Sequence, residues 1–366
     1  MNHPAPSIAY LLPTGRCNLK CAGCYATLEH AGRHSAQGEL SLEEYCQVVN
    51  ELVALGVRIF DISGGEPMLY PHLIPLCQAI RRHPHTSIRL VTNGTLAHLE
   101  ALETLALLVE RFVVSLDAPY PDLHDSMRGH KEAFARSVQT LRKARRLPFP
   151  EIAVNQLLTV ANAHSVGDML RLCRQEGVDR LGILSFRDVS ENDVMPEMVP
   201  PLSALQDCWG HVLETLMEAE SPRWVDVVVP AFLYPETKAF RRTMPPEMKK
   251  RISFHHPNLR GLSAFRQTIV IKPRGEMTGD TAMANFAQFD IGSVRIGVDQ
   301  VWESRARAWR VRLAEREKRL QNESPCRDCP RWHVCRGGCP AAALHQWGEV
   351  DRHDRTCDRF RNSGVF

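Results

Sequence analysis

Three cysteines, Cys17, Cys21 and Cys24, stand close together as Cys-x3-Cys-x2-Cys. Thiolates are soft ligands that suit iron–sulfur clusters or zinc, and three on one short loop can wrap a single cluster. The number matters, because a closed structural site takes four ligands. Three thiolates leave one iron of a 4Fe–4S cluster open to a ligand from outside the protein. On spacing alone, two other readings stay open: a zinc site completed by His30 or His34, or three unrelated thiols. A second group, Cys326-x2-Cys329-x5-Cys335-x3-Cys339-x17-Cys357, lies in the tail. Four of its thiolates would close a complete 4Fe–4S cluster, although zinc ribbons and knuckles use similar Cys-x2-Cys spacing. The other four of the 12 cysteines, Cys46, Cys77, Cys173 and Cys208, are isolated.

An even cysteine count invites a disulfide reading. Met1 to Tyr10 lacks the charged region and long apolar stretch of an export signal. The expected compartment is therefore the reducing cytoplasm, where clustered thiols bind metal rather than pair. At 366 residues the chain has room for one barrel-sized unit and a smaller appendage. Apolar residues make up 44% and charged residues 24%, which permits a packed core. The net charge of +3 lacks the basic excess of a dedicated nucleic-acid binder, and no such partner is expected. No apolar run is long enough to span a membrane.

The elements that must carry these thiols alternate. Short apolar strands are expected at Ile8–Leu12, Arg58–Ser63, Ser87–Thr92, Phe112–Leu116, Ile152–Thr159 and Arg180–Phe186, with the composition of strands buried on both faces. Helical patterns follow them. The first begins at Ser41, where Glu44 completes a capping box and Tyr45, Val48, Val49 and Leu52 form the apolar face. Further helices are expected at Leu69–Arg82, Ala97–Glu110, Lys131–Arg146, Ala163–Glu176 and Leu202–Glu220. Strand followed by helix, repeated, means an α/β architecture, either an open sheet or a barrel. After about Ser221 the pattern changes: Arg266–Lys272 reads as a strand, Gly275 as a turn toward Ile291–Ile296, and Glu303–Leu320 as a charged helix. That helix reads as a solvated basic face, with a patch for an acidic partner as the other possibility.

The loop Cys-Asn-Leu-Lys-Cys-Ala-Gly-Cys-Tyr resembles the signature of radical S-adenosylmethionine enzymes. Ser63-Gly64-Gly65-Glu66-Pro67, after the second strand, is similar to that superfamily's Gly-Gly-Glu-Pro segment, although it is also a good strand-to-helix turn. The resemblance implies a partial (β/α)6 TIM-like barrel over residues 1–220, with its site at the carboxyl ends of the strands. It implies that Gly64, Gly65, Glu66 and Pro67 meet the cofactor, Glu66 as acceptor for its amino group. Thr92-Asn93-Gly94, Val114-Ser115-Leu116-Asp117 and His124 to Gly129 match further strand-end positions. They carry Asn93, Ser115 and Arg128 as cofactor contacts, the last two toward the ribose or the methionine carboxylate, with Asn155 in the same role. The residue before the third cysteine is often aromatic in the family but is Gly23 here, and Tyr25 is the candidate to stack near the adenine.

The tail resembles the later half of the SPASM domain, the C-terminal extension of radical enzymes that mature peptides and quinone cofactors. The resemblance assigns residues 266–366 to a small iron–sulfur domain, joined through a connecting segment, 221–265. It assigns Cys326, Cys329, Cys335 and Cys357 to one auxiliary 4Fe–4S cluster. A full SPASM domain holds a further cluster fed by an early Cys and Gly-x4-Cys. Here Asp280 stands where that Cys is expected after Gly275, and no cysteine falls between Cys208 and Cys326. Cys339 is left without thiolate partners, as a free thiol or with Asp280 as an oxygen ligand. The expectation is two clusters, about eight irons in all.

The activity implied is reductive cleavage of S-adenosylmethionine to a 5′-deoxyadenosyl radical, which removes a hydrogen atom from a peptide or protein side chain in maturation, by oxidation or crosslinking. An external electron donor such as flavodoxin or ferredoxin is implied. Only 16 residues precede Cys17, so any leader-binding domain is expected on a separate protein. The resemblance implies an oxidoreductase-type enzyme of natural product biosynthesis, and the alternative to a peptide substrate is a dehydrogenase or epimerase acting on a small molecule such as a sugar or aminoglycoside. An epimerase would need a thiol donor such as Cys208 or Cys173, although both read more plainly as core thiols. A non-catalytic metal-binding module is the third reading.

Overall fold

The computed structural model describes residues 5–24, 37–186, 198–218, 222–256 and 264–365. One sheet of eleven strands organises them: β1 (Ile8–Leu11), β2 (Ile59–Ile62), β3 (Ser87–Thr92), β4 (Arg111–Ser115), β5 (Glu151–Leu158), β6 (Arg180–Ser185), β7 (Trp224–Val228), β8 (Ile252–His255), β9 (Thr268–Ile271), β10 (Glu276–Thr278) and β11 (Gly292–Ser293). Their spatial order is β11-β10-β9-β1-β2-β3-β4-β5-β6-β7-β8. Strands β1 to β8 and β9 run parallel, as an open α/β barrel requires. β10 and β11 turn back antiparallel and carry the sheet into the tail. The turn between β9 and β10 is made by Gly275 at φ +93°, in the left-handed region that favours glycine.

The six expected strands fall within a residue or two of their places. The first helix, Leu42–Ala54, has the capping box: Ser41 N–H donates to Glu44 Oε2 at 2.8 Å, and Glu44 N–H to Ser41 Oγ at 3.2 Å. The expected helix at Leu69–Arg82 is shorter. Pro67–Leu69 makes a 3-10 turn, and the helix proper runs Leu73–Arg81.

Segment 221–265 does more than connect. It contributes β7 and β8, which extend the parallel sheet beyond the six expected strands. Trp-Val-Asp-Val-Val and Ile-Ser-Phe-His do not read as buried strands, because every second residue is polar or bulky. The structure gives those residues a use. On one face of the sheet, Phe60, Ile88, Leu90, Phe112, Val114 and Val154 pack against the helices. On the other face, alternate residues form a charged belt. Asp61 pairs with Arg89 at 3.7 Å, Arg111 with Glu151, Glu151 with Arg180 at 2.8 Å, Arg180 with Asp226 at 2.6 Å and Asp226 with His255 at 3.1 Å. Asp226 on β7 and His255 on β8 are its last links, added to the apolar burial of Val225, Val227 and Ile252.

Asp61 is held up at about 6, because burial penalises its charge more than Arg89 and Arg111 relieve it. The native state thus binds a proton that an ordinary carboxyl near 3.8 has released. Asp61 therefore lowers stability as pH rises from about 4 to about 6, and above that range the full cost remains. Asp61→Asn is expected to gain on wild type between pH 4 and pH 7.5 by up to about 3 kcal/mol. Urea unfolding at the two pH values measures this, and a difference that does not grow with pH sinks the account.

Candidate functional site

The loop that follows β1 is tied down by its own backbone and by three neighbours. Gly65 N–H donates to Thr14 O at 2.9 Å and Glu66 N–H to Arg16 O at 2.7 Å, docking the Gly-Gly-Glu-Pro segment directly onto the cysteine loop. A Cβ on Gly65 would lie 2.1 Å from Arg16 O. Gly65 is thus required for this close approach of two chain segments. From the other side, Lys20 N–H donates to Arg128 O at 3.3 Å and Ala22 N–H to Met127 O at 3.1 Å. That contact needs Gly129, at φ +62°, where a Cβ would meet Lys20 O at 2.4 Å. Against the third side lie Leu157 and Phe186, which occupy the space beside Gly23; a Cβ there would be 2.9 Å from Leu157. An aromatic residue at position 23 would clash in this packing.

The three thiols lie within electrostatic reach of one another. Burial raises the Cys17 thiol to about 11, with Glu66, Cys21 and Cys24 adding to the shift and the Leu19 N–H opposing it. Burial likewise raises Cys21, against the pull of Arg128, whose Nη1 donates to Cys21 Sγ at 3.8 Å. Arg128 is itself buried and ion-paired through Nε with Asp117 Oδ2 at 2.8 Å. Asp117 accepts from Leu157 N–H at 2.9 Å and donates its own N–H to His124 Nδ1 at 3.0 Å. His124 is pushed down to about 3 by burial and by Arg128, so its imidazole is neutral.

The expected cofactor contacts divide into two groups. Glu66, Asn93 and Arg128 are committed internally. Glu66 Oε1 accepts from Thr92 Oγ1 at 2.6 Å and Met68 N–H at 3.0 Å, and its Oε2 from Asn93 N–H at 2.8 Å. Asn93 Nδ2 donates to Asn18 Oδ1 at 2.9 Å, and its Oδ1 accepts from Thr95. Asn18 donates to Thr95 Oγ1 at 2.7 Å. These side chains fasten the end of β3 to the cysteine loop. Gly64 and Pro67 shape the turn: Gly64 adopts φ +114° and Pro67 opens the 3-10 turn. Ser115 and Asn155, register partners on β4 and β5, form the second group, half-buried and without a side-chain hydrogen bond to a described residue. Gly182, opposite Asn155 on β6, makes room for the amide, since a Cβ there would lie 2.5 Å from Asn155 Oδ1. Tyr25, His30 and His34 lie outside the described residues.

Sequence reading missed Asn18, Thr95 and Asp117 as parts of this site. Each lies inside or beside a recognised motif, but its partner is distant in the chain. Cys173 and Cys208 are wholly buried in the helix layer, and burial raises both to about 12.

In the tail, Cys326, Cys329, Cys335 and Cys357 line one cavity with Phe232, Trp332, Gly337, Arg331 and Arg361. Cys339 lines a larger neighbouring one, between the ends of β6 and β7 and the tail, with Phe186, Val228, Phe232, Asp354 and Cys335, the two cavities sharing Cys335 and Phe232. Asp280 caps the turn Thr281–Met283, accepting from Ala282 N–H at 2.8 Å. A tetrahedral zinc ion, at about 2.3 Å from each sulfur, needs its thiolates about 3.8 Å apart. Among the described residues, no three cysteines bring their sulfurs within 4.8 Å of one another; the one trio that close is His353, Cys357 and Asp358. Neither set of thiols is drawn together as a closed tetrahedral single-ion site.

The helix expected at Glu303–Leu320 is α-helical over Arg307–Leu320. It is not simply a solvated basic face: Arg316 is buried and donates to the carbonyls of Val350, Gly338, Gly337 and Arg352, at 2.8, 3.3, 2.9 and 2.7 Å.

Among the described residues, no helix is long and apolar enough to cross a membrane. Residues 11–183 match the sequence model of the radical SAM superfamily. The antilisterial bacteriocin subtilosin biosynthesis protein AlbA of Bacillus subtilis (strain 168) is 35% identical over 145 residues, a stretch covering 38% of this chain and 30% of that relative. A PqqA peptide cyclase of Rhodopseudomonas palustris is 26% identical over 96% of this chain and 86% of its own length. Among solved structures, Streptococcus suis SuiB bound to the precursor peptide SuiA aligns with a TM-score of 0.74 at 16% identity, over 96% of this chain and 75% of that one. That likeness establishes a shared fold.

Proposed function

Residues 11–183 belong to the radical SAM superfamily, and from that premise we propose that the chain is a peptide maturase that removes a hydrogen atom from a side chain of a precursor peptide. The observation that carries this reading is the match to a peptide cyclase along 96% of the chain. The larger cavity supports it. Its walls are mainly apolar, with Phe186, Val228, Val229, Phe232 and Ala342, which suits an aliphatic or aromatic side chain better than a polyhydroxylated ring.

In this reading Cys17, Cys21 and Cys24 hold a 4Fe–4S cluster with one open iron, and Cys326, Cys329, Cys335 and Cys357 hold an auxiliary one. The chemistry that the first cluster and S-adenosylmethionine supply when bound is one-electron cleavage of the sulfonium and removal of a hydrogen atom from the substrate. The chain's own part is positional. Ser115 and Asn155 are the uncommitted polar groups for the cofactor, and Arg128 holds positive charge beside Cys21. Glu66, Asn93 and Asn18 keep the loop in register with β3, while Leu157 and Phe186 close it against water. The electron comes from an external donor of the flavodoxin or ferredoxin kind, and the net reaction is an oxidation or crosslink.

The test uses anaerobically reconstituted protein with dithionite, S-adenosylmethionine and precursor peptides whose side chains carry deuterium. Deuterium is expected in the 5′-deoxyadenosine formed. Transfer from deuterated amino sugars and from no peptide would favour the small-molecule reading. No 5′-deoxyadenosine under any condition would leave only a metal-binding module.

A further inference from the structure

Arg316 is 1% exposed. Its neighbours on the same helix face find acids: Arg319 pairs with Asp351 at 2.7 Å and Arg312 with Asp351 at 4.0 Å. Arg316 forms no ion pair with a described carboxylate; all its hydrogen bonds go to backbone carbonyls. An unpaired buried charge is costly, and such a group normally has a counter-charge close by. The carbonyls it holds show where that charge belongs. Gly337 lines the cavity of Cys326, Cys329, Cys335 and Cys357, and Gly338 and Cys339 continue the same turn. A Cβ on Gly337 would lie 3.4 Å from Arg316 Nη1, so the guanidinium lies directly behind the cavity wall. Burial pushes the Arg316 guanidinium below its usual value, and Cys339, Asp354, Cys335 and Cys326 oppose that shift only in part.

We propose that Arg316 is a buried counter-charge of the tail's iron–sulfur cluster, behind the cavity that Arg331 and Arg361 line, and a positioning residue that holds the Gly337–Gly338 turn and raises the cluster's reduction potential. The proposal rests on the auxiliary cluster of the preceding reading. Four thiolates concentrate negative charge, and adding one electron adds more. A fixed cation separated from the cavity by a single glycine favours the reduced form, since net charge and hydrogen bonding set such potentials.

The experiment uses the full chain carrying Cys17→Ala, Cys21→Ala and Cys24→Ala, so that only the tail cluster remains. After anaerobic reconstitution, about four irons per chain are expected. Their absence overturns the cluster reading itself, and this proposal with it. With the cluster present, the midpoint potential is measured by dithionite titration followed by electron paramagnetic resonance, in this parent and with Arg316→Lys or Arg316→Gln added. Lysine keeps the charge; glutamine keeps a donor for the carbonyls and removes the charge. The expected result is a more negative midpoint in the glutamine variant and an unchanged one in the lysine variant. Equal potentials in all three proteins, an equal shift in both variants, or equal loss of iron from both overturns the proposal, because a purely structural role treats the two substitutions alike.

Discussion

Replacing Cys21 by alanine is expected to reduce 5′-deoxyadenosine formation to background while iron falls from about eight to about four per chain. Its sulfur is one of only three on the loop, and the two that remain cannot hold a cluster that already lacks a fourth protein ligand. The fold should survive. The thiol's recorded polar contact is the 3.8 Å approach of Arg128, and Arg128 keeps its pairing with Asp117. Deleting one partly buried sulfur costs on the order of 1 kcal/mol. Cys46→Ala is the control: this thiol lies on the helix Leu42–Ala54 and is expected to leave both iron and activity unchanged. Iron analysis and chromatography of the nucleoside product measure the two effects. Full iron in Cys21→Ala, or full activity, would remove the first cluster from the loop.

The second large effect is expected from Gly65→Ala, a single methyl group. The new Cβ would sit 2.1 Å from Arg16 O and 2.7 Å from Arg16 C, both backbone atoms. Relieving that clash means giving up the hydrogen bonds of Gly65 N–H and Glu66 N–H to the cysteine loop. Overpacking and two lost hydrogen bonds together amount to about 3–4 kcal/mol. The loop would also lose its register with β2, so cluster content should fall with stability. Gly210→Ala is the matched comparison. It lies within the helix Leu202–Glu218 with nothing within 4 Å of its Cβ, and should gain about 0.5–1 kcal/mol. Urea unfolding of both variants decides the matter, and comparable destabilisation by the two would refute the docking role of Gly65.

Much of the site was legible because its information is local. Cys17, Cys21 and Cys24 need only a tight loop to meet, and a tight loop is a property of adjacent residues. The same holds for the capping box at Ser41 and for the apolar strands β1 to β6, whose alternation or continuity is written in neighbouring positions. Strand-end motifs were legible for a related reason: in a parallel sheet, residues at successive carboxyl ends share one rim whatever their separation in the chain.

Side-chain commitments were not legible. Glu66, Asn93 and Arg128 read as ligand contacts, and nothing in their motifs revealed the partners distant in the chain that also hold them. β7 and β8 escaped detection because their polar residues have meaning only beside Arg180 on β6. Arg316 looked like one more cation on a basic helix, and nothing around it in the chain marks it as the member that turns inward. Residue types and short spacings determined which chemistry this protein carries and the order of its barrel. Tertiary structure alone decided which polar groups remain available, which cavity each thiol faces and which charge is buried. Those outcomes depend on desolvation and on hydrogen-bond satisfaction between segments far apart in the chain, and both exist only once the segments have met.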